Sequence, residues 1–267
     1  MRLQGALKLA RTRARPVLPW VAPVALVLLW QVSSRAGLIS ADLAPAPFDV
    51  LLAGIKGFRE QHLLTHLLVS TGRAALGTLI GSAIGLTLGL LTGLSRPLQL
   101  LLDGPLQMLR AIPALALVPL VILWFGLGET AKVFIVVITV VFPVYLNTFH
   151  GVRSVDPQLI EMARVYDVRG FDLYREVILP GALPSILVGL RFALGMSWLV
   201  IIVAETLGAE SGLGYLAGNA RDFMQMDLLV LTIVLWGLLG KTADILAQAL
   251  ERYLLPWQPR SQRLSAE

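Results

Sequence analysis

Four charged residues stand inside otherwise apolar runs: Arg191, Glu205, Lys241 and Asp244. Ionisable side chains are expensive in lipid, so each is a candidate for an ion pair or for the wall of a polar path. Lys241 and Asp244 are three residues apart on one helix face and are expected to neutralise one another. Arg191 and Glu205 are fourteen apart, close to the same face of one helix, and could line a translocation path. A cation in such a path suits an anionic solute, although Arg191 could equally snorkel to the headgroups. His62 and His66 have the spacing of a zinc pair, but Leu63 stands where a metalloprotease carries glutamate, so no metal site is expected. Gly212, Gly214 and Gly218 follow no strand and read as a flexible outer loop rather than a nucleotide fingerprint. There is no phosphate-cradling Gly-x4-Gly-Lys-Ser/Thr loop and no nucleophile paired with a base, so neither ATP hydrolysis nor an intramembrane enzyme is expected of this chain.

The elements that hold these residues are set by hydropathy. Of 267 residues, 56% are hydrophobic and 15% charged, with a mean hydropathy of +0.75, which assigns the chain to lipid. There are no cysteines, so disulfides and thiolate metal sites are excluded. The net charge of +5 is not a nucleic-acid signal, because the basic residues cluster beside apolar runs. A helix needs about 20 apolar residues to cross a bilayer. Six segments come close: 16–34, 74–95, 111–128 (beginning as early as 98), 133–152, 184–206 and 227–250. The expected fold is therefore all-α and polytopic. Arg2, Lys8, Arg11, Arg13 and Arg15 precede the first span and read as the cytoplasmic flank of an uncleaved helix rather than a secretory signal. Arg96, Arg153, Arg164, Arg169, Arg175, Arg252, Arg260 and Arg263 then fall on the same side, against Arg35, Lys56, Arg59, Lys132 and Arg221 on the other, a bias that places both termini in the cytoplasm.

Two features concern packing. Gly77, Gly81, Gly85, Gly89 and Gly93 recur at every fourth residue and let another backbone approach, either within the chain or across a dimer axis. Pro105, Pro113, Pro119 and Pro143 each remove a backbone donor and are expected to bend or interrupt the third and fourth spans. The outer segment 35–62 holds an amphipathic run, 50–58, suited to the membrane surface.

The loop 155–180, between the fourth and fifth spans, carries the most information. Asp156 followed by Pro157 is a helix start. Ile160 and Ala163 share one face while Glu161, Arg164 and Arg169 stay wet, and the chain breaks between Asp167 and Gly170. A second short helix with Phe171, Tyr174 and Ile178 on one stripe is expected to end near Pro180. Two such helices could simply lie in the lipid interface. Glu161, Met162 and Ala163, then Asp167, then Val177, Ile178, Leu179 and Pro180, resemble the Glu-Ala-Ala motif of type I ATP-binding-cassette importer permeases, with Met162, Asp167 and Val177 replacing Ala, Gly and Ile.

The resemblance extends from Trp20 to Trp257, through Gln107 to Pro113, Leu117 to Gly126 and Ala204-Glu205-Thr206, and is greatest to the aliphatic sulfonate group. It implies a coupling loop at 155–180 that docks on an ATPase subunit, a homodimer of this chain, two cytoplasmic ATPase subunits that bind ATP and magnesium, and an external substrate-binding protein. No cofactor is expected in the chain itself. The implied organisation is a basic tail over 1–17, a first helix over 18–34, an outer loop over 35–62, a permease core over 63–250 and a tail over 251–267, in the bacterial inner membrane. Nitrate, taurine and thiamine-precursor permeases look similar. An ion-coupled secondary transporter should show paired midplane carboxylates and internal repeats, which are not evident.

Overall fold

The computed structural model describes residues 18–40 and 43–257. The basic residues of the 1–17 tail, and Arg260 and Arg263 of the C-terminal tail, lie outside them. Among the described residues the secondary structure is helical, with no strand. The chain forms two compact units, Met1–Leu63 with Ala217–Val234, and Leu64–Leu216 with Leu235–Glu267.

In the first unit, α1 (Leu18–Arg35) and α2 (Pro47–Glu60) are tied by the Phe48 N–H donating to Gln31 Oε1 at 3.0 Å and by the Arg35–Asp49 ion pair at 2.9 Å. The amphipathic run expected at 50–58 lies within α2, whose Val50, Ala53 and Gly57 are buried while Leu51, Ile55 and Phe58 are exposed. Leu231 packs close to Gly54.

The second unit is built on long apolar helices. Among the described residues of the whole chain, four helical segments are long and apolar enough to cross a membrane: α3 (Leu63–Leu94), α6 (Glu129–Arg153), the continuous helix Gly170–Thr206, and α11 (Met226–Leu254), whose first turns belong to the first unit. The third expected span differs from a simple rod. It is split into α4 (Arg96–Arg110) and the stretch Ala114–Phe125, a 3-10 turn (Ala114–Leu117) leading into α5 (Val118–Phe125), with a bend of 81° between the two arms. Pro113 stands at the break: it lacks an N–H, and its ring pushes the preceding residue away from helical backbone angles. Pro105 and Pro143 lie inside continuous helices, and Pro119 falls in the first turn of α5, where a missing donor costs nothing. The bent pair counts as at most one span. Among the described residues α1 contributes the apolar stretch Val21–Arg35, while the start of the expected first span at 16–17 lies outside them.

α3 and α6 pack along the glycine stripe. A Cβ added at Gly77 would lie 2.6 Å from the Val136 side chain, at Gly81 2.9 Å from Val140, at Gly85 2.6 Å from the Val141 carbonyl, at Gly89 2.5 Å from Thr148 and at Gly93 2.9 Å from Val152. The stripe is thus filled from within the chain, one α6 turn per glycine. α9 (Leu179–Thr206) closes on the other side of α6, where Gly189 meets Asn147 and the Pro143 carbonyl. Val136, Val140 and Val144 form a core with Val121, Ile201 and Ala204. Leu79, Leu123 and Leu199 remain exposed. Aliphatic exposure on this scale suits a lipid environment.

Candidate functional site

The loop 155–180 begins as its residues demand. Asp156 accepts a hydrogen bond from the Gln158 N–H at 2.8 Å, and Pro157 opens α7 (Pro157–Val165). α7 ends in a paired closure: the Asp167 N–H donates to the Arg164 carbonyl and the Val168 N–H to the Ala163 carbonyl, both at 3.0 Å. This closure requires a left-handed residue at its hinge, usually glycine. Asp167 fills it with φ +62°, and Gly170 follows with φ +58°. Ala163 is buried and Ile160 partly so, whereas Glu161, Met162 and Leu159 are exposed. The motif therefore divides into a seated face and an outward face of apolar and acidic groups.

Beyond Gly170 the structure corrects the expectation. No helix ends near Pro180. Instead α8 (Gly170–Leu173) passes through a π-turn, Tyr174–Ile178, into α9 without a break. The Leu179 N–H reaches back to the Tyr174 carbonyl, five residues away, and this wider turn lets Pro180 occupy the first turn of α9 without breaking the helix. Val177, Leu179 and Pro180 are partly buried at the root of α9, and Gly181 lies against Val155.

Arg191 and Glu205, which could have lined one path, occupy separate environments. Arg191 Nε donates to Asp244 Oδ1 at 2.7 Å, and its side chain is 45% exposed. Lys241 does meet Asp244, at 3.3 Å, but Arg191 is the nearer partner. Glu205 is buried, 1% exposed. It accepts from Arg73 Nη1 at 2.8 Å, from the Ser70 hydroxyl at 2.7 Å and from the Gly214 N–H at 2.9 Å. The Leu213 N–H in turn donates to Ser70 Oγ at 2.8 Å. Arg73 forks onto Glu129 through Nε at 2.6 Å and Nη2 at 2.5 Å, and Nη1 reaches the Ser211 carbonyl at 2.6 Å.

The glycines after Glu205 therefore do not form a flexible loop. Gly212 has φ +115°, a Cβ on it would run into the Glu205 carboxylate, and α10 (Leu213–Asp222) starts immediately after. His66 Nδ1 accepts from the Gly212 N–H at 3.0 Å, and its ring stacks on Tyr215.

Arg73, Ser70, Glu129 and Ser211 were not anticipated as a group. Arg73 reads as the charged boundary of a span starting at 74, whereas it is buried, 5% exposed, ten residues inside α3. A signal was present: His66, Ser70 and Arg73 continue the stripe of Gly77 and Gly81 at intervals of three and four, a polar face on an otherwise apolar helix.

The profile of a family described as "Binding-protein-dependent transport system inner membrane component" matches residues 77–255. The chain is 54% identical over 243 residues to the putative aliphatic sulfonates transport permease protein SsuC of Escherichia coli, covering 91% of this chain and 92% of that one. It is 42% identical over 236 residues to the protein of the same name in Bacillus subtilis, covering 88% and 86%. Among solved structures, an amino acid ABC transporter crystallised with histidines superposes with a TM-score of 0.61 at 22% identity, over 71% of this chain and 92% of that one. At that identity the likeness concerns the fold.

Proposed function

Because the chain belongs to the family of binding-protein-dependent transport system inner membrane components, we propose that it is the route by which an ATP-driven importer carries aliphatic sulfonates across the bacterial inner membrane. The chain is a multi-pass inner-membrane permease subunit and not itself an enzyme; importers of this kind work with separate ATPase subunits and a binding protein. The observation that carries the substrate is the 54% identity, spread over nine-tenths of both chains, to a sulfonate permease. Two copies of the chain enclose the path, and each offers its α7 loop to one ATPase subunit, which binds the ATP and magnesium. The exposed Glu161, Met162 and Leu159 dock on the ATPase, and the hinge at Asp167 and Gly170 sets their angle to the membrane helices.

The test is uptake into proteoliposomes holding this chain, its ATPase and its binding protein. ATP-dependent accumulation of butanesulfonate, unaffected by excess nitrate, is the expected result. Accumulation of nitrate or taurine with no alkanesulfonate uptake would transfer the chain to one of those groups.

A further inference from the structure

Charge is out of balance beside α9 and α11. Asp244 Oδ1 accepts from Arg191 Nε at 2.7 Å, and Oδ2 accepts from Gln248 Nε2 at 3.0 Å and Lys241 Nζ at 3.3 Å. One carboxylate thus serves two cations, and the cluster keeps a surplus positive charge. Neither Nη nitrogen of Arg191 donates a hydrogen bond among the described residues. An uncompensated cation within a membrane-crossing helix is costly, so the cluster calls for an anion.

The chemistry next to Arg191 restricts which anion. Arg191 and Asp244 line a groove of ≈ 470 Å³ together with Val188, Phe192, Gly195, Met196 and Leu199. The α9 residues recur at helical spacing on one face, so the groove has a charged end and an apolar length. Gly195 leaves a notch in its wall, since a Cβ added there meets nothing within 4 Å. A guanidinium edge presents two parallel donors to an oxyanion.

We infer that this groove is a recognition site for amphiphilic monoanions, with the sulfonate oxygens on the Nη edge of Arg191 and the alkyl chain along Phe192, Gly195, Met196 and Leu199. One surplus charge is matched by a monoanion and exceeded by a dianion such as sulfate; nitrate carries no chain to fill the apolar length. Asp244 holds the Nε edge of Arg191, leaving its outer edge to the groove, and Lys241 holds the other oxygen of the same carboxylate. This assignment rests on the proposed function and gives it a site of selection beyond the binding protein.

The experiment compares uptake of methanesulfonate and hexanesulfonate by the complete importer in proteoliposomes, with the same binding protein throughout. Changes between variants then report on this chain alone. Gly195→Leu, whose Cβ would meet no atom within 4 Å, fills the notch and should lower the hexanesulfonate-to-methanesulfonate uptake ratio about tenfold. Arg191→Ala should depress both substrates, and Arg191→Lys should recover part of the loss, since lysine restores the charge but not the fork. An unchanged chain-length ratio in Gly195→Leu overturns the inference, even if Arg191→Ala fails to assemble. The runs are repeated in phosphatidylcholine with and without phosphatidylglycerol. If the anionic lipid alters wild-type rates but not those of Arg191→Ala, and the chain-length ratio stays fixed, the counter-anion is a lipid headgroup and the inference falls. If the wild type carries no alkanesulfonate, the proposed function falls first and takes this assignment with it.

Discussion

Arg73 and Glu205 illustrate how a buried charge depends on its partner. The Glu205 carboxylate is held by an arginine, a hydroxyl and a backbone N–H, and the Arg73 guanidinium also grips Glu129, whose side chain is 63% exposed. Removing the arginine leaves the Glu205 carboxyl group sealed from water without its cation, whereas Glu129 can rehydrate. Arg73→Met should therefore destabilise the protein by about 3–5 kcal/mol, while the pair Arg73→Met with Glu205→Met should lose much less, because no lone ion remains. Thermal unfolding in lipid nanodiscs checks this; additive losses would mean that the two side chains do not depend on each other. Asp167 is sensitive in its backbone rather than its charge. With φ at +62°, a β-branched side chain there should cost about 1–2 kcal/mol, and glycine nothing comparable. Transport-coupled ATP hydrolysis should survive Asp167→Gly and fall in Asp167→Val; equal activity in assembled complexes would remove the hinge from the coupling path.

Two glycines of α3 should respond in opposite directions to the same change. A Cβ at Gly85 would lie 2.6 Å from the Val141 carbonyl, and backbone cannot rotate aside as a side chain can. Gly85→Ala should force α3 and α6 apart and cost about 1–3 kcal/mol. Gly72, on the same helix, has nothing within 4 Å of the position a Cβ would take. Gly72→Ala should stabilise by about 0.5–1 kcal/mol through helix propensity alone. Thermal midpoints of the two variants on opposite sides of the wild type are expected; a shared sign would show that α3 and α6 do not meet along this stripe. The π-turn at Tyr174–Ile178 has a similar origin: it admits Pro180 near the start of α9, so the outward loop continues directly into a membrane helix.

At the level of the whole molecule, the absence of cysteine makes topology measurable with single introduced thiols. Met162 is 54% exposed on α7, and Leu38 is 79% exposed after α1. In intact cells a membrane-impermeant maleimide should label Leu38→Cys but not Met162→Cys. In inverted vesicles Met162→Cys should label readily, and the ATPase subunit should protect it. Labelling of Met162→Cys from outside would reverse the orientation. The purified chain should hydrolyse no ATP until the ATPase is added; activity in the contaminant-free subunit would contradict its assignment as a permease.

Properties that depend on neighbours along the chain were legible in the sequence. The long apolar helices follow from hydropathy, the start of α7 from Asp156 and Pro157, its turn at Asp167 from the motif spacing, and the close-packing stripe from glycines at every fourth residue. Each rests on backbone periodicity or local hydrogen bonding, which the residue order encodes directly. Partners distant in sequence were not legible. Arg73 looked like a boundary because nothing near it in the chain announces Glu205 and Glu129, 132 and 56 residues away. The sequence offers Lys241 as the partner of Asp244, but Arg191, 53 residues off, makes the shorter bond. Only tertiary packing decides which charges meet, because a buried ion is stabilised by whatever the fold brings within reach.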